Sequence, residues 1–350
     1  VTLFERERFP RHKLCGEFIS PECLAHFREL GVLDSMLAAG GDRIRETRFY
    51  SPGGRSVSIA SDWFSEAGGA LGLSRAEMDH RMLTAAREAG AEVFEETTVT
   101  GVVTSNGNVT GIRAKAATGP FEREFDLVLD ATGRAAAVAR HVISQEQRAA
   151  APSRLVGFKT HLENVSLERG VCEIYFFDGG YGGLSYIEQG RANHCFLVGA
   201  DVVRREGSAD AIVDRLIMRN ERARRTLSGS RNLFDWIAVA VKGFGRNELA
   251  PAPNLLSIGD AAAFIDPFTG SGMLMALEVA EAAVESIIAG GDISAGYRQL
   301  FEKRFARRLR FCSMMRRAAF RPRIAATVIS LLSVSASARR FLANQTRRRS

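Results

Sequence analysis

Between Ala91 and Ala114 apolar and polar residues alternate, and Asn106-Gly107 interrupts the alternation, a pattern that predicts a β-hairpin. Arg48 to Ala60, with Phe49-Tyr50, a Ser-Pro-Gly-Gly turn and Val57-Ser58-Ile59, predicts a second hairpin. Three apolar runs break the alternation: Val1 to Phe4, Phe125 to Asp130 and Leu255 to Ile258. Their lengths suit strands, the second fully buried, and each ends in polar residues, as parallel strands of one open sheet do at a ligand-binding edge. Helical spacing appears after Ser20-Pro21, where Leu24, Phe27 and Leu30 form a stripe closed by Gly31. It recurs after Ser74, where Glu77 completes a capping box and Met78, Met82, Leu83 and Ala86 line one face up to Gly90.

From Leu155 to Asn247 the chain changes character. Segments 158–162, 171–177 and 195–198 are rich in aromatic and β-branched residues separated by glycine turns, which predicts an antiparallel sheet. Ala209 to Leu227 reads as one helix with an Arg-rich outer face. Met273 to Ala289 is an apolar helix. Beyond Gly291 the chain is helical and basic, with an apolar, small-residue stretch from Ile324 to Ala338. That stretch is too short to span a bilayer, but its Arg flanks suit an interface.

Composition adds three bounds. A length of 350 residues suits about two domains. The five cysteines are scattered, odd in number and without C-x-x-C spacing, and the six histidines are dispersed. These features point to a reducing, cytoplasmic setting and to no metal site. The net charge of +7 is uneven, because Arg298 to Ser350 holds fifteen of the basic residues and a single acid, Glu302. The aromatic–basic interleaving of a nucleic-acid platform is absent, so no nucleic-acid partner is expected.

The most informative stretch is Gly259-Asp260-Ala261-Ala262-Ala263-Phe264-Ile265-Asp266-Pro267-Phe268-Thr269-Gly270-Ser271-Gly272-Met273. A carboxylate at a strand end suits a hydroxyl-rich chain. A glycine-lined helix N-terminus suits a ligand that becomes anionic. This G-D-A-A-x-x-x-D-P-x-x-G-x-G-M pattern resembles the second flavin-contacting motif of the FAD-dependent monooxygenase and geranylgeranyl reductase superfamily, which includes p-hydroxybenzoate hydroxylase-like enzymes. Arg11-His12-Lys13-Leu14-Cys15-Gly16 resembles the R-x-K-x-C-G segment that lies over flavin and substrate in the reductase branch. Leu73-x-Arg75-x-x-x-Asp79 resembles a segment whose arginine reaches the cofactor, and Asp130-Ala131-Thr132-Gly133 a strand end beside the nucleotide. Gly180-Tyr181-Gly182-Gly183 resembles the segment covering the flavin from the substrate side. The W-x-W-x-I-P motif of halogenase relatives is absent, which argues against halogenation.

The resemblance implies an α/β, Rossmann-like FAD-binding domain with an inserted antiparallel β-sheet substrate domain and a helical C-terminal tail. It implies a discontinuous FAD domain (1–42, 71–150 and 250–292), a substrate domain (43–70 and 151–249) and a basic helical region (293–350). The implied cofactor contacts are Glu5, on the adenosine ribose, with Arg6, Cys15, Gly16, Arg75, Val99, Asp130, Gly133, Asp260, Pro267, Gly270, Ser271, Gly272 and Met273. Tyr181 and Gly182 lie on the substrate side. No side chain stands out as a general acid or base, and no metal ligand is assigned. No G-x-G-x-x-G loop precedes Glu5, so the first strand and glycine loop are read as missing from an N-terminally truncated chain, which is expected to bind FAD poorly.

The expected activity is reduction of a double bond in a lipophilic, isoprenoid-type substrate, with NAD(P)H or another external donor reducing the FAD. The alternative is a monooxygenase acting through a flavin C4a-hydroperoxide. A reading of another class is a non-catalytic remnant or membrane-surface partner whose basic tail is the working part. Peripheral contact of that tail with a membrane is expected on the first reading too.

Overall fold

A computed structural model describes residues 1–65, 68–143, 154–241, 243–266, 268 and 270–345. The β-rich half builds an eight-stranded sheet in the order Arg231–Asn232, Leu155–Glu163, Ala192–Gly199, Gly180–Tyr186, Val171–Phe177, Glu46–Tyr50, Ser56–Ala60, with Ile237–Val241 also pairing to Leu155–Glu163. One pairing departs from the antiparallel expectation: Val171–Phe177 runs parallel to Glu46–Tyr50. These two strands are far apart in the chain, so no tight turn dictates their direction. The hairpin at Asn106-Gly107 forms as predicted, with both turn residues at positive φ (51° and 81°).

Side-chain alternation gives the large sheet two unlike faces. Phe158, Leu162, Tyr175, Phe177, Leu184, Phe196 and Val198 point outward and pack against helices Ala200–Glu206, Ala209–Arg215 and Glu221–Leu227. Val57, Phe176, Tyr181, Leu197 and Val241 point inward, beneath helix Pro322–Ser333. The expected single helix over Ala209–Leu227 is interrupted: it ends at Arg215, a 3-10 turn runs Ile217–Arg219, and Asn220 caps the helix that follows. The Asn220 side chain accepts from Arg222 N and Ala223 N and donates to the carbonyls of Tyr50, Ser51 and Phe176. A side chain that satisfies the sheet's backbone and caps the next helix outweighs helix continuity.

On the outward face His194 is buried with no charged partner among the described residues, and burial pulls its imidazole down to about 4. An unfolded chain binds that proton near 6.5, so the folded form loses stability as pH falls from the higher value towards the lower one. The loss should reach about 3 kcal/mol. Denaturant titrations of parent and His194→Gln between about pH 7 and 4 check this, because the variant should lack that part of the slope.

The other half contains two parallel pairs, Thr2–Phe4 with Glu92–Phe94 and Val128–Asp130 with Leu255–Ser257. The three apolar runs were expected in one sheet, but no strand among the described residues bridges the two pairs. Nor is the second run fully buried. Val128 and Asp130 face inward while Leu129 is 39% exposed on the opposite side, because only one face of that pair is covered. Helix Gly272–Ala289 lies against Ile293–Ala319, with Val279, Ala282 and Ala283 meeting Tyr297, Phe301 and Phe305. Ser20 does not cap the first helix, which runs Cys23–Glu29 after a turn at Pro21-Glu22.

Candidate active site

The paired ends of Val128–Asp130 and Leu255–Ser257 set the site. Asp130 is wholly buried and its carboxylate is occupied: Oδ1 accepts from Thr132 N (2.9 Å) and Thr132 Oγ1 (2.6 Å), Oδ2 from Ala139 N (2.8 Å). It therefore shapes the turn that carries Gly133, whose φ of +75° opens on free space. Asp260 follows the neighbouring strand. It makes no hydrogen bond among the described residues, and its carboxyl pKa is raised by burial against the opposing pull of Arg75 and Arg134. Arg134 lies over the Phe264 ring.

Arg75 opens helix Arg75–Glu88 and holds Asp79 through two bonds of 2.8 Å. Burial alone would raise the Asp79 carboxyl, but Arg75 and Lys13 outweigh it and keep it below its usual range. The Ser74 cap forms (3.2 Å to Glu77 N), but its reciprocal partner is Glu188, which accepts from Ser74 N at 2.9 Å. Glu77 pairs with Arg81 instead.

Gly270 has φ +60°, and a Cβ there would lie 3.1 Å from the Phe18 ring. The chain then enters helix Gly272–Ala289, whose first amides lack partners within the helix. Behind them Ser271 O accepts from Met275 N (2.9 Å) and from buried Arg308 (3.2 Å), which also pairs with buried Glu278 at 2.6 Å. Met273 packs among the residues around Leu24 and Phe27 and anchors the helix start. Pro267 lies outside the described residues.

Tyr181 donates to Asp266 Oδ1 (2.7 Å), which also accepts from Phe268 N (2.8 Å). Burial, then the Asp266 charge, pushes the phenol well above its ordinary value, so it keeps its proton. Phe49, Phe176, Phe268 and Phe320 surround this pair, with Phe268 and Phe320 edge-on to Tyr181 at 5.3 and 5.7 Å. Gly182 is glycine for room, since a Cβ would stand 2.9 Å from Phe196 Cβ. The result is an aromatic wall against the loop that carries Asp260 and Gly270.

The N-terminal contacts fall into two groups. Glu5 accepts from Glu7 N (2.9 Å) and pairs with Arg11, and its carbonyl receives Thr97 N beside Val99. Val99 packs with Phe4, and exposed Arg6 pairs with Glu7. Cys15 accepts from Glu17 N at 3.3 Å, its carbonyl receives Asn193 Nδ2 at 3.2 Å, and Gly16 faces open space.

The sequence reading missed the most concentrated charge in the molecule. Glu17, at φ +52°, is wholly buried and ion-pairs with Lys159. It also meets His161 Nε2 at 2.7 Å and accepts from Arg75 N at 2.8 Å. Burial would raise its carboxyl, but His161 and Lys159 together hold it below its usual range. Lys159 also donates to Lys13 O, and His12 stands edge-on to His161 and stacked on Phe234. A signal was present: Lys159 and His161 sit two apart on one face of a largely buried strand, and buried charges are seldom left unpaired.

Among the described residues, an unbonded carboxylate at a strand end, two flanking arginines, a glycine open to free space and a helix N-terminus converge on one edge. This donor set fits a dinucleotide-type cofactor with polyol and anionic parts, and with the matches that follow the protein is a flavin-dependent oxidoreductase. The FAD binding domain family matches the chain over residues 1–289, and the chain belongs to it, with FAD as cofactor. The chain is 27% identical over 337 residues to menaquinone reductase of Mycolicibacterium smegmatis, covering 88% of this chain and 75% of that one. It is 27% identical over 310 residues to digeranylgeranylglycerophospholipid reductase of Methanosarcina acetivorans, covering 83% and 70%. Among solved structures it resembles a geranylgeranyl bacteriochlorophyll reductase-like protein from Thermoplasma acidophilum (TM-score 0.78, 19% identity, 98% of this chain and 89% of that one). It also resembles a flavin-dependent brominase (TM-score 0.79, 18% identity, 98% and 87%), a likeness of fold.

Proposed function

We propose that the protein reduces a carbon–carbon double bond in a lipophilic, isoprenoid-type substrate, using FAD and an external donor such as NAD(P)H. The observation that carries this reading is the aromatic wall of Phe49, Phe176, Tyr181, Phe268 and Phe320 set against the Asp260–Met273 edge. It would offer a long apolar substrate a water-excluding surface beside the cofactor. Relatives named for reduction of a geranylgeranyl lipid and a menaquinone support the substrate class.

Bound FAD supplies hydride transfer, and the protein supplies position and electrostatics. Asp260 would accept hydrogen bonds from the cofactor's polyol chain. The amides at Gly272 and Met273 would favour negative charge on the flavin. Gly270 and Gly133 would let backbone approach it closely, and Glu5, Arg75 and Val99 would complete the contacts. Replacing Asp260 with Ala should weaken FAD binding by about tenfold or more through loss of a charged acceptor. Fluorescence titration of the apoprotein with FAD reads this directly.

The activity is tested anaerobically with reduced holoprotein and, in parallel, a geranylgeranyl phospholipid and a menaquinone. Products two hydrogens heavier per reduced bond are expected. Oxygen-dependent hydroxylation without anaerobic reduction would transfer the reading to a monooxygenase.

The C-terminal helices would bring the protein to a lipid surface. Leu331, Val334 and Phe341 are 65%, 84% and 59% exposed beside Arg339 and Arg340, whereas Ile329 and Leu332 pack inward. No helix among the described residues is long and apolar enough to cross a membrane. Co-sedimentation with anionic vesicles, lost in Leu331→Glu with Phe341→Glu, is the expected result.

A further inference from the structure

Three side chains with no part in the proposed reaction meet on the seam between helices Cys23–Glu29 and Gly272–Ala289. His26 and Glu29 stand about one turn apart on the first helix, and Glu281 faces them from the second. One donor atom from each lies within 4.8 Å of the other two. Leu24 and Phe27 pack with Leu274 and Leu277 in the same seam, so apolar contact already holds the two helices together.

Two observations separate this group from an ordinary patch of surface charge. First, the three acids of helix Gly272–Ala289 are not treated alike. Glu278 is paired with Arg308 and Glu285 with Arg304, both at 2.6 Å. Glu281 lies between them in the chain and takes no hydrogen bond or ion pair among the described residues. The charge of Arg304 reaches it, but that guanidinium bonds Glu285. The side chains of His26 and Glu29 are equally unengaged among the described residues. Second, Glu281 Oε2 is withdrawn from water without a partner, and a shielded carboxylate oxygen beside a second carboxylate is costly unless a cation joins them. The approach is open, since Glu29 is exposed and the His26 and Glu281 side chains are only partly buried.

An imidazole nitrogen and two carboxylate oxygens carried by two helices form a donor set for a divalent ion of borderline softness. We propose that His26, Glu29 and Glu281 bind Zn²⁺, with water as the fourth ligand. Metal–ligand bonds of about 2.0–2.1 Å place tetrahedral donors about 3.3 Å apart, a closure that side-chain rotation supplies. The ion clamps helix Cys23–Glu29 to the helix whose first turn stands at the cofactor edge, so its role is structural.

The FAD-loaded full chain, stripped of metal by a chelator, is titrated calorimetrically with Zn²⁺ and, in parallel, with Mg²⁺. Saturable binding of one Zn²⁺ per chain is expected, and none of Mg²⁺, which takes oxygen ligands and keeps its water. Glu281→Gln and His26→Gln, both partly exposed changes that keep the fold, should each weaken Zn²⁺ by about a hundredfold, the upper end of what loss of a mere supporting contact costs. Co²⁺ in place of Zn²⁺ should give the visible absorption of a four- or five-coordinate ion, lost in His26→Gln. No saturable Zn²⁺ binding, equal binding of Mg²⁺, or undiminished affinity in either variant (an adventitious ion only) would each overturn the site.

Discussion

Replacing Glu17 with Ala is expected to destabilise the protein by about 3–5 kcal/mol, because Lys159 is then left charged and unpaired in the interior. The site makes the loss difficult to repair: Lys159 is fully buried, and its remaining partner among the described residues is a single carbonyl, that of Lys13. His161 and the amide of Arg75 lose their acceptor in the same step. Equilibrium denaturation measures the loss, and a double variant, Glu17→Gln with Lys159→Met, should recover much of it by removing both charges. A Glu17→Ala protein within about 1 kcal/mol of the parent would show that the network relaxes around water. The sign with pH follows from the depressed carboxyl of Glu17. Its stabilisation is complete above the carboxyl's unfolded pKa and is lost as pH falls through the lower, folded value.

The second large effect is expected at Arg308. Arg308→Met leaves Glu278 buried without its cation and removes one of the donors to Ser271 O. A cost of about 3–5 kcal/mol follows from the unpaired charge, and adding Glu278→Gln should return most of it. The same variant carries a functional consequence. Arg308 lies in helix Ile293–Ala319 but ties down the N-terminus of helix Gly272–Ala289, so FAD release should also quicken. Parallel thermal melts and FAD dissociation traces separate the two effects.

The parts of the site carried by local pattern were legible in the sequence. Asp260, Gly270 and Gly272 sit within a short segment whose spacing expresses a strand end, a close approach and a helix start. The Asn106-Gly107 hairpin and the Ser74 cap are likewise decided by neighbouring residues. The hidden parts depend on partners distant in the chain. Glu17 meets Lys159 and His161 at separations of 142 and 144 residues, and nothing near Glu17 announces them. The interruption between Arg215 and Glu221 was hidden for a related reason: apolar spacing continues across it, while the decisive bonds of Asn220 go to Tyr50, Ser51 and Phe176. The strand Leu155–Glu163 was legible from its aromatic and β-branched residues, but the meaning of its charged positions required knowing what lies beneath them.

The parallel pairing of Glu46–Tyr50 with Val171–Phe177 has a practical corollary for anyone dividing this protein. A fragment beginning at Leu155 would contain most of the large sheet yet leave Val171–Phe177, rich in aromatic residues, with an unpaired hydrogen-bonding edge. Such an edge recruits other chains. The fragment should therefore form insoluble assemblies, and co-expression with a peptide spanning Glu46 to Ala60 should restore a soluble one-to-one complex.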